Sequence, residues 1–85
     1  MVDRNKIPLI LQRLHNHARR DDSGEFGMAD VLESLRYSGV ASTDMEAGTA
    51  AHAYLPHLQS MQCIEYGNLK DYVLTEKGRR LAESA

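Results

Sequence analysis

The chain has 85 residues, 42% hydrophobic and 26% charged, which sets the expectation of one small soluble globular domain over 1–85 and excludes a two-domain enzyme. Ten Lys and Arg stand against twelve Asp and Glu, a net charge of −2, whereas a dedicated nucleic-acid binder usually carries a basic surplus. No apolar run reaches the roughly 18 residues of a membrane span, no signal-peptide pattern opens the chain, and a single cysteine excludes an intrachain disulfide, so a cytoplasmic protein without membrane contact is expected.

Asn5 is placed to cap a first helix over about 6–20, with Pro8 tolerated in its opening turn, where the amides have no intrahelical partner. Ile7, Ile10, Leu11, Leu14 and Ala18 recur at three and four residues and form its inward stripe. A polar, glycine-containing loop follows, with a short strand near Glu25-Phe26. The second helix fits 28–38, burying Met28, Val31, Leu32 and Leu35, and Gly39 is placed as its stop. Thr43-Asp44-Met45-Glu46 has the form of a capping box and begins a third helix whose inward positions are Ala47, Ala51, Tyr54, Leu55, Leu58 and Met61. Pro56 lies within it and predicts a kink, or a break into 44–54 and 56–62. Cys63 to Tyr66 and Leu69 to Leu74 read as two strands joined by Gly67-Asn68. Thr75 is placed to cap a last helix over 76–84 with Leu81 as its inward anchor.

The phrase from Tyr54-Leu55-Pro56-His57-Leu58 through Cys63-Ile64-Glu65-Tyr66 to Tyr72-Val73-Leu74-Thr75-Glu76-Lys77-Gly78-Arg79 resembles small prokaryotic winged-helix regulators of the MarR-like, PadR-like and archaeal kinds. The resemblance covers about 28–82. It implies an α+β, mostly α fold: a winged helix-turn-helix with three helices, a β-hairpin wing and a C-terminal helix. It also implies a transcriptional regulator, with helix 44–61 in the major groove of double-stranded DNA, the 63–74 wing on the backbone, and a homodimer matching palindromic half-sites. Carried onto this chain, the groove-facing positions are Thr43, Glu46, Thr49, Ala50 and Ala53, with His52 and His57 at the margin. Arg36, Lys70, Arg79 and Arg80 are the expected backbone contacts, Lys70 foremost because it falls at the wing tip.

One departure from the pattern bears on function. No Lys or Arg lies between Asp44 and Gln62, and Asp44 and Glu46 occupy the tip meant for the groove, where a guanine reader places Arg or Lys. The alternative expectation is therefore a winged-helix protein–protein interaction module that does not bind DNA. The four histidines include no i, i+4 pair, so no metal site is expected. Cys63 reads as a small buried residue. No phosphate loop, nucleophile elbow or paired-carboxylate motif is present, so neither catalysis nor a cofactor is expected.

Overall fold

In the computed structural model, residues 2–20, 24–67 and 71–85 are described. The chain enters through Asp3, whose carboxylate accepts the Asn5 amide at 3.0 Å and caps a 3-10 turn over Arg4–Lys6. That turn runs into helix α1 (Ile7–Arg20). The cap is thus Asp3 rather than Asn5, because the extra turn moves the first unpaired amides two residues upstream. The five apolar positions expected of α1 are all buried.

Strand β1 (Glu25–Phe26) leads to helix α2 (Met28–Tyr37). Its buried stripe differs from the expected one. Val31, Ser34 and Leu35 face inward, continued by Ser38, while Leu32 is half-buried and Met28 is exposed. A serine fits the core because its hydroxyl can bond its own helix: Ser34 donates to the Asp30 carbonyl at 2.8 Å and Ser38 to that of Leu35 at 3.0 Å. Gly39, at φ +84°, ends α2 in the left-handed conformation with its amide on the Arg36 carbonyl and that of Val40 on Leu35.

Helix α3 (Asp44–Ser60) begins at Thr43, whose hydroxyl accepts the Glu46 amide at 3.1 Å. The return half of the box is displaced by one residue, since the Glu46 carboxylate accepts the Ser42 amide at 3.1 Å. Of the kink or break expected at Pro56, the break is absent: α3 runs through Pro56 as one helix. Pro56 and His52 are both exposed, so the carbonyl freed by proline lies on the solvent side, while Tyr54, Leu55 and Leu58 hold the inner side in the core. The helix ends with the Gln62 amide on the Gln59 carbonyl and that of Cys63 on Leu58, which forces Gln62 to φ +62°. A non-glycine residue is strained there, so Gln62→Gly should raise stability by about 0.5–1 kcal/mol. Urea unfolding checks this, and an unchanged or lower midpoint would contradict it.

Strands β2 (Ile64–Tyr66) and β3 (Tyr72–Leu74) pair antiparallel, and β1 joins the other edge of β3, giving the order β1-β3-β2. Residues 68–70, including part of the expected turn and the start of the expected strand 69–74, lie outside the described residues. Phe26, Tyr72 and Tyr66 stack across the three strands, with centroids 5.9 Å and 5.2 Å apart.

Helix α4 (Glu76–Glu83) is capped by Thr75, whose hydroxyl accepts the Gly78 amide and donates to the Gln62 carbonyl at 2.6 Å. Its inner face is Gly78 and Ala82 rather than Leu81, which is half-buried against the core. The cause is a close approach: a Cβ at Gly78 would lie 2.1 Å from the Cys63 carbonyl oxygen. The result is an α+β, mostly helical arrangement in which α1 packs on α2 and α4, α2 packs on α3, and the small sheet meets α1 through β1, α3 through β2 and α4 through β3.

Candidate nucleic-acid interface

The inward stripe of α3 leaves a contiguous outer face in its first half. Thr43, Met45, Glu46, Thr49, His52 and Ala53 are exposed and Ala50 is half-buried. Beside them lies a groove of about 490 Å³ whose lining includes Val40, Met45, Thr49, Ala50 and Ala53. The structure therefore gathers five of the expected groove-facing residues, Thr43, Glu46, Thr49, Ala50 and Ala53, on one surface. Met45 belongs with them and was not among the expected residues, although its place off the Ala47-Ala51-Tyr54 stripe was readable. It is the most exposed large apolar side chain described, at 84%.

His57 is separated from this group. It falls on the same helical face by spacing but lies about 20 Å along the axis from Thr43. There it joins Arg4, Ile7, Pro8, Met61 and Leu81 around a different groove, of about 340 Å³. The entry segment makes the difference: the Asp3 amide donates to the Tyr54 hydroxyl at 2.9 Å and brings the start of α1 over the second half of α3.

Three of the basic side chains near α3 and α4 are engaged. Arg36 Nη1 donates to Asp44 Oδ1 at 2.9 Å, bridging the end of α2 and the start of α3. Arg80 donates to Glu76 one turn back at 2.7 Å. Lys77 Nζ donates to the Met61 carbonyl at 2.7 Å and fastens α4 to the end of α3. Arg79 is exposed on α4, a helix that packs chiefly on α1, so Arg79 and Arg80 are not part of the α3 surface. Lys70 lies outside the described residues.

A second polar group ties α1 to α2. Arg13 Nε donates to Glu33 at 2.7 Å, with the guanidinium 4.4 Å above the Tyr37 ring, and His17 stands between Glu33 at 2.6 Å and Asp30 at 3.3 Å. Partial burial would raise the Glu33 carboxyl, but hydrogen bonds from Arg13 and His17 outweigh it and hold the group below its ordinary value. This cluster braces the helices. Among the described residues no group of three or more His, Cys, Asp or Glu is placed to hold a metal ion. Cys63 is buried, and burial pushes its thiol up against the opposing pull of Lys77, the environment of an inert structural thiol. Among the described residues no helix is long and apolar enough to cross a membrane.

The tyrosines divide. Tyr54 is buried with its hydroxyl bonded, Tyr72 is half-buried in the ring stack, and Tyr37 and Tyr66 are 56% and 69% exposed. Tyr72 thus packs at the edge of the core. The chain matches no model of a known protein family, no curated protein and no solved structure.

Proposed function

We propose that this chain is a winged helix-turn-helix domain that binds double-stranded DNA as a transcriptional regulator. In this reading the first half of α3 enters the major groove, the β2–β3 hairpin is the wing on the backbone, and a homodimer presents two copies to palindromic half-sites. The observation that carries it is the succession α1, β1, α2, α3, β2, β3, α4 with strand order β1-β3-β2. This layout supports a wing beside a helix whose first half stays uncovered.

The acidic tip is less hostile to DNA than the sequence suggests. Glu46 is drawn back to the Ser42 amide, and in the unbound chain Asp44 is paired with Arg36. Met45, Thr49 and Ala53 are then free to make close apolar contact, of the kind that suits thymine methyl groups. Phosphate contacts would have to supply most of the affinity.

One observation favours the second reading, a protein-docking module. Met45, the most exposed large apolar residue among those described, sits between two carboxylates on a helix with no Lys or Arg. Fluorescence anisotropy with a generic duplex separates the two. Four phosphate contacts predict a loss of roughly a hundredfold in affinity between about 50 and 200 mM salt. A folded protein with no binding at the low end would reject DNA and leave the docking module.

A further inference from the structure

We infer that Asp44 is an intramolecular stand-in for a DNA phosphate, masking Arg36 until duplex DNA displaces it. This inference rests on the DNA-binding reading above. Arg36 comes from the last turn of α2 and Asp44 from the first position of α3, and their side chains meet at 2.9 Å across the turn of the helix pair.

Three features make the contact exchangeable. Both partners are open to solvent, 51% for the Arg36 side chain and 81% for that of Asp44, and ion pairs so exposed contribute little to stability. The pair is also held from Nη1 of the guanidinium, which carries five N–H donors and favours two-point contact with carboxylate or phosphate. Finally, the pair borders an open groove of about 830 Å³, along whose wall stand Tyr37 and Ser42, both exposed and both bearing hydroxyls. The other carboxylate on that wall, Glu33, is already engaged by Arg13 and His17 and does not compete for Arg36.

A phosphodiester oxygen entering the groove takes over the guanidinium, and Asp44 turns out to solvent. Asp44 stays compatible with the helix throughout, because a carboxylate in the first turn faces the positive end of the helix dipole and Thr43 supplies the cap independently. The consequence is a built-in brake on nonspecific binding: only a backbone placed against the α2–α3 turn regains the masked charge.

The test is a double-mutant cycle read by anisotropy on a 20-base-pair mixed-sequence duplex at low salt. Asp44→Asn should tighten binding about three- to tenfold, on the order of one regained phosphate contact. In an Arg36→Gln background the same change should have most of that gain removed. Equal gains in both backgrounds would mean simple relief of repulsion and would overturn the inference, as would no gain in Asp44→Asn. Binding by none of the variants, with far-UV circular dichroism and Tm unchanged, would remove the DNA reading itself; wild-type binding with a flat cycle would remove only the mask.

Discussion

Gly78→Ala is expected to destabilise the domain by about 2–4 kcal/mol, although alanine is the better helix former by about 1 kcal/mol. The added methyl would sit 2.1 Å from the Cys63 carbonyl oxygen and 3.0 Å from its carbon. Neither atom can yield cheaply. The same carbonyl accepts the Thr75 amide at 3.0 Å, and the Cys63 amide is itself committed to Leu58. Helix α4 must therefore lift, which loosens the Thr75 bond to Gln62, the Lys77 bond to Met61 and the packing of Ala82. Denaturant unfolding measures the loss, with Arg79→Ala as an exposed control expected to stay within about 0.5 kcal/mol of wild type. A Gly78→Ala protein as stable as the parent would show that α4 does not rest on Cys63.

Phe26→Ala should cost more, about 3–5 kcal/mol, the range for removing a fully buried aromatic side chain. Phe26 is 1% exposed and stacks on Tyr72, and through it β1 holds the edge of β3. Since a small domain has only about 5–15 kcal/mol in total, a large share of its stability rests on this ring. The exposed end of the same stack provides the contrast. Tyr66→Ala removes a ring 69% open to solvent and should cost about 1 kcal/mol or less. Thermal unfolding of both variants checks the difference. Similar Tm losses would mean that the sheet is not anchored from the β1 side.

Helix positions and stops were readable in the sequence because they depend on local chemistry. Thr43 and Thr75 cap as their side chains dictate, Gly39 supplies the left-handed stop, and the α1 stripe follows helical spacing. What depends on distant partners was not readable. Ser34 and Ser38 look like surface residues until their hydroxyls turn back on the helix, and Gly78 looks like a flaw in α4 until Cys63 lies beneath it. Pro56 reads locally as a kink or a break, yet packing of Tyr54, Leu55 and Leu58 carries α3 through it without a break. The candidate interface shows the same division. Spacing alone gathers Thr43 to Ala53 on one surface but adds His57, which only the folded entry segment separates. The Arg36–Asp44 pair spans eight residues across a turn, a separation with no periodic signal.

Titrating isotopically labelled protein with a mixed-sequence duplex and following backbone amide resonances shows whether the first half of α3 meets DNA. The largest shifts are expected at Thr43, Met45, Glu46, Thr49 and Ala53, with a second set at Glu65, Tyr66 and Asp71 in the hairpin. Shifts confined to the exposed faces of α1 and α4, or none at low salt, would contradict that contact.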